Sequence, residues 1–152
     1  MSIKPVSRQQ ELVIQKIGNE FLVYDLRTNK AHHLTETAAF IWQHCDGKNS
    51  ISDLKTLVEN KFDTKINEDF IWLALDQLNR ENLLEGKIPS YGISRREVLK
   101  KIGVAAMVAL PIVASLSVPN TALATSTCGN ICSPANPKTC APGCTCVGSI
   151  CR

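Results

Sequence analysis

The chain has 152 residues, is 44% hydrophobic and 20% charged, and carries a net charge of +3. That charge is divided: residues 1–87 hold 11 Lys+Arg against 13 Asp+Glu, net −2, whereas residues 88–152 hold 6 against the single acid Glu97, net +5. The basic excess sits at Arg95, Arg96, Lys100 and Lys101, at the mouth of an apolar run. This excludes a distributed nucleic-acid footprint and argues against one uniform domain.

Cysteine is equally uneven, with six of seven in the last 25 residues. That points to an oxidising compartment for the C-terminal end and a reducing one for the rest. Met1–Gln10 is polar and reads as a loose tail. Leu12–Ile17 and Glu20–Tyr24 are β-prone runs joined by Gly18-Asn19, a two-residue hairpin signal. After the turn Asp25–Asn29, Lys30–Leu34 reads as a short third strand. A meander this small needs helices over one face.

Three helices are expected next. Thr35 caps Glu36–His44, with Ala38, Ala39, Ile41 and Trp42 on one face and Asp46-Gly47 as its stop. Ser50, with Asp53 three residues on, is a capping-box signal for a second helix bearing Leu54, Leu57, Val58 and Phe62. Asp63–Asn67 is a connector with room for a small wing. Asn67 caps the third helix, Glu68–Asn79, where Ile71, Ala74, Leu75 and Leu78 recur at helical spacing. The order βββααα describes a compact α+β domain with one modest core.

The runs HHLTETAAFIWQHCDG (His32–Gly47) and DFIWLALDQLNRENLLE (Asp69–Glu85) resemble the PqqD family, over roughly residues 5–86. Members are small recognition elements for the precursor peptides of ribosomally made, modified natural products. The resemblance implies a winged-helix-like fold of three strands and three helices, and no catalysis. It implies a leader peptide bound as an extra strand along the third strand and presented to a modifying enzyme, often a radical SAM protein. Carried over by position, the peptide-binding edge is Lys30, Ala31, His32, His33 and Leu34. Phe70, Ile71, Ala74, Leu75 and Leu78 face it from the third helix. An exposed edge has unpaired N–H and C=O groups ready for another strand, so the role is physically sound.

Plainer readings compete. His32-His33 lacks Cys, Asp or Glu at ligand spacing, so a strand role outweighs a metal site, and no cofactor is expected. Cys45 has no evident base and reads as a small buried apolar residue. A winged helix suggests DNA binding, but the third helix carries Glu68, Asp69 and Asp76 with no Lys or Arg over Glu68–Asn79, which repels phosphate. No triad, phosphate loop or metal cluster marks residues 1–93 as an enzyme.

Lys87–Ile93 reads as a linker. Ser94–Lys100 (SRREVLK) resembles the twin-arginine translocation motif at every position, with Val98 where Phe is commonest. An uncharged run, Ile102–Val118, and a small-residue site at Ala122-Leu123-Ala124 complete the three parts of an export signal. Arg95, Arg96, Leu99, Lys100, Ala122 and Ala124 are its marker residues. The competing reading is an uncleaved membrane helix, 17 residues long with Pro111 inside it, which would make the chain a membrane-anchored adaptor. Both readings place the basic side, with the N-terminal domain, in the cytoplasm, residues 94–124 in the inner membrane and the tail outside. The expected partners are a precursor or leader peptide, its modifying enzyme, the export machinery and the membrane, and not nucleic acid.

The tail, residues 125–152, spaces Cys128, Cys132, Cys140, Cys144, Cys146 and Cys151 as C-x3-C-x7-C-x3-C-x-C-x4-C. With almost no apolar bulk, its structure depends on crosslinks. Disulfides, Zn²⁺ or Cu⁺ thiolates, and enzyme-made thioethers all remain open. The spacing resembles inhibitor-cystine-knot mini-proteins, and that resemblance implies Cys128–Cys144, Cys132–Cys146 and Cys140–Cys151. The division expected is therefore a recognition domain over 1–86, a linker over 87–93, a signal or membrane helix over 94–124 and an exported Cys-rich peptide over 125–152.

Overall fold

The structure is a computed structural model, and it describes residues 3–102, 110–117, 146–147 and 150–151. The chain divides into two compact units, Met1–Ser117 and Val118–Arg152. In the first, β1 (Leu12–Ile17), β2 (Glu20–Asp25) and β3 (Lys30–Leu34) form the expected meander. They are followed by α1 (Glu36–Gln43), α2 (Ile51–Phe62), α3 (Glu68–Arg80), α4 (Arg95–Ile102) and a fourth strand, β4 (Val113–Ser117). The sheet is antiparallel throughout, in the order β1-β2-β3-β4.

The local chemistry explains these elements. Gly18 adopts φ +63°, which lets the β1–β2 turn close tightly. Ser50 and Asp53 form a reciprocal capping box at the start of α2, and the Asn67 side chain accepts the Phe70 N–H at the start of α3. Along β2, Phe21, Val23 and Asp25 alternate inward, and His32 and Leu34 do so along β3. The helices cover this face. Trp42 is 2% exposed, meets Phe21 edge-on at 6.3 Å and donates its indole N–H to the Leu83 carbonyl at 2.8 Å.

Three expectations are corrected. Val6–Arg8 are not loose: Ser7 N–H donates to Cys45 O (2.7 Å), Arg8 N–H to Leu83 O (3.0 Å) and Glu85 N–H to Val6 O (2.7 Å), so this segment ties the end of α1 to the end of α3. A Cβ on Gly47 would lie 3.1 Å from Val6 Cγ2, and its φ of +76° also suits glycine there. No strand forms over 63–67, so the wing is missing there. Finally, the apolar run expected as one helix over Ile102–Val118 is not one. Pro111 has no amide hydrogen to give a helix. The short, partly β-branched segment Val113–Ser117 beyond it satisfies its backbone against the open edge of β3 instead. Among the described residues no helix is long and apolar enough to cross a membrane.

In the second unit, β5 (Cys146–Val147) and β6 (Ile150–Cys151) pair antiparallel, with Cys146 opposite Cys151. Cys128, Cys132, Cys140 and Cys144 lie outside the described residues, as do Ala122 and Ala124 of the expected cleavage site.

Candidate functional site

The edge of β3 is where the sequence reading placed a bound peptide, and it is occupied by the chain's own β4. Five residue pairs run antiparallel, from Leu34 opposite Val113 to Lys30 opposite Ser117. Thr35 anchors the entry: its N–H donates to Ile112 O at 3.1 Å, while its Oγ1 accepts the Ile112 N–H at 3.0 Å. Alternation from that pair places Ala114 and Leu116 in the hydrogen-bonded register, opposite His33 and Ala31. Val113 and Ser115 turn toward the core side, whereas Ala114 and Leu116 are exposed.

His32 is fully buried, and its Nδ1 shares a 2.8 Å hydrogen bond with Ser115 Oγ. Glu81 lies 3.6 Å from the same nitrogen, and Nε2 has no hydrogen-bond partner among the described residues. Burial lowers the His32 pKa, and the nearby Glu81 and Asp25 carboxylates only partly oppose it. The ring is therefore neutral near pH 7, suited to a small hydroxyl and not to an anion. His33 points the other way and pairs with Glu20 at 2.8 Å. Among the described residues no group of three His, Cys, Asp or Glu is placed to hold a metal ion.

Phe70, Ile71, Ala74, Leu75 and Leu78 of α3 are all fully buried and belong to the core beneath the edge. The α3 side chain that contacts the docked segment through hydrogen bonds is Gln77. Its Nε2 donates to Pro111 O at 3.0 Å, and its Oε1 accepts the Val113 N–H at 3.3 Å. Sequence reasoning did not single out Gln77. The available signal was its position: one helical turn beyond Leu73, beside the apolar stripe and not within it.

The outward side of α3 is covered as well. Asn79 donates to Ile88 O (3.3 Å), Ser90 to Asp76 (2.5 Å), and Trp72 meets Tyr91 with ring centroids 4.5 Å apart. Next, α4 docks with Val98 fully buried and Leu99 half-buried, while Arg95, Arg96 and Lys100 remain exposed. Ser94 and Glu97 cap α4 reciprocally, a box legible in S-x-x-E but hidden by its reading as a transport motif. Arg95 Nη2 donates to Gln77 Oε1 at 2.9 Å, and Lys101 Nζ to Asp69 at 2.5 Å. Cys45 is fully buried, and its thiol is pushed up to about 12, chiefly by burial and then by Asp46, so it is no nucleophile.

No curated protein and no solved structure matches the chain. Residues 20–84, from β2 to the turn after α3, match the family model described as Coenzyme PQQ synthesis protein D (PqqD).

Proposed function

We propose that residues 1–86 form a peptide-recognition domain of the PqqD type, without catalytic activity of its own. It takes an extended peptide along β3 and presents it to a peptide-modifying enzyme. Residues 94–124 act as a twin-arginine-like export signal, and residues 125–152 are the exported Cys-rich cargo. The domain works in the cytoplasm, the signal engages the inner membrane, and the tail is delivered beyond it. One observation supports the recognition role above all others: β3 accepts a further antiparallel strand over its whole length, with a buried side chain, His32, touching that strand.

The outward side of α3 is occupied by residues 88–101. This speaks against the same helix lying in a DNA groove, in addition to its acidic character.

The test is direct. Ala114→Pro/Leu116→Pro removes two amide hydrogens from the hydrogen-bonded register of β4 and frees the edge. The double variant of the full chain should bind a fluorescent peptide of sequence LPIVASLS at least tenfold more tightly than the unaltered chain does, read by anisotropy. A folded double variant that binds no better than the unaltered chain removes the edge from the account.

A further inference from the structure

Gln77 uses the whole capacity of its carboxamide. One amide hydrogen goes to Leu73 O within its own helix, at 3.1 Å. Its other three partners are Arg95, Pro111 and Val113, at 2.9, 3.0 and 3.3 Å. Arg95 is the first of the paired arginines. Pro111 and Val113 lie in the apolar run that follows them. A single side chain thus holds the basic head and the apolar body of the same signal. Asp69–Lys101 and buried Val98 secure the head on one side, and Thr35–Ile112 and His32–Ser115 secure the body on the other.

Residues 113–117 cannot serve two masters at once. As β4 they satisfy their backbone against β3. As the apolar body of a signal entering lipid they must satisfy it within their own segment. The two states are exclusive, and the domain that recognises peptides stabilises one of them.

We propose that the domain masks the export signal of its own chain: its resident ligand is residues 110–117, and Gln77 is the clamp that couples strand and arginine head. This rests on reading residues 94–124 as an export signal. While the strand is docked, the tail stays beside the enzymes that work on it. When the strand leaves, head and body are released together. A tethered strand acts at a high effective concentration, so modest contacts keep the mask closed. The rate of signal engagement then scales with the undocked fraction, and a tenfold shift in the docking equilibrium changes export by up to about tenfold.

The experiment alters only the domain. Gln77→Ala removes the clamp. Thr35→Val removes the anchor for Ile112 without removing a helix cap, because the Thr35 side chain makes no capping bond to α1. In the purified full chain, each variant should speed amide hydrogen exchange in residues 112–117 while leaving exchange in α1 and α2 unchanged. In cells, each should raise the exported fraction of the tail several-fold, up to about tenfold, and the double variant should raise it further. Arg95→Lys/Arg96→Lys in the otherwise unaltered chain serves as the control. If the twin-lysine chain is not exported but strand release leaves export of the variants unchanged, masking is wrong and the export signal stands. If the twin-lysine chain is exported like the unaltered one, the signal reading fails and masking falls with it. If neither domain variant loosens residues 112–117, Gln77 is no clamp and the proposal fails on that ground.

Discussion

Asp25 and His32 are two buried polar side chains on the inner face of the sheet, and they respond to acid at different points. Burial acts to raise the Asp25 carboxyl, but hydrogen bonds from Arg8, the Arg27 backbone and Thr28 outweigh it, so its pKa lies below the ordinary 3.8. Arg8 reaches it at 2.5 Å. The His32 pKa lies below the ordinary 6.5 because burial disfavours the charged ring. For both, the unfolded chain takes up its proton at a higher pH than the folded one, so stability is complete above the unfolded value and declines as pH falls below it. Denaturant titrations should therefore show one loss beginning below about pH 6.5, from His32, and a second beginning below about pH 4.5, which Asp25 shares with the hydrogen-bonded carboxyls of Glu59, Glu97, Asp46 and Asp53. His32→Gln should flatten the first and leave the second. Cys45 should resist alkylation at pH 7.5 in the folded chain and react only on unfolding, checked by mass spectrometry of its peptide. Trp42→Ala removes both a packed ring and the bond to Leu83 O. It should destabilise the domain by about 3–5 kcal/mol in urea titration.

At the scale of elements, α3 has two distinct jobs. Its stripe of Phe70, Ile71, Ala74, Leu75 and Leu78 is buried in the core. An acid at Leu75 would therefore unfold the domain and reveal nothing about peptide binding. The stripe was legible in the sequence because apolar residues at helical spacing have one common use. Gln77 was not, because a glutamine beside the stripe looks like any solvated residue until the chain folds back on it. The three strands and three helices of the domain were legible for similar reasons: Gly18-Asn19, Ser50 with Asp53, and Asn67 are short-range signals whose chemistry is complete within a few residues. The fourth strand was misread for the opposite reason. Val113–Ser117 has no strong intrinsic preference, and its form is set by an edge about 80 positions earlier in the chain. Hydrophobicity alone favoured a helix; the vacant hydrogen-bonding groups of β3 decided otherwise.

For the whole molecule, the boundary that composition suggested near residue 87 is not where the first compact unit ends. The charge balance changes there, and cysteine only from Cys128, but the fold continues to Ser117 and takes α4 and β4 into its first unit. The PqqD-family match ends at residue 84, so this extension lies beyond the matched segment. A composition shift reports what a segment is made of, a contact reports where it rests, and the two need not agree.

The Trp72–Tyr91 contact gives the molecule an optical gauge of that resting state. The two tryptophans sit in different places: Trp42 in the core, Trp72 half-buried on α3 under the ring of Tyr91, which is itself 60% exposed. When residues 88–101 peel away, Trp72 meets water and Trp42 does not. With Trp42→Phe leaving a single indole, emission should shift to the red on undocking while the far-ultraviolet circular dichroism of α1, α2 and α3 persists. Stopped-flow mixing with the LPIVASLS peptide would then read the opening rate directly, in the unlabelled chain.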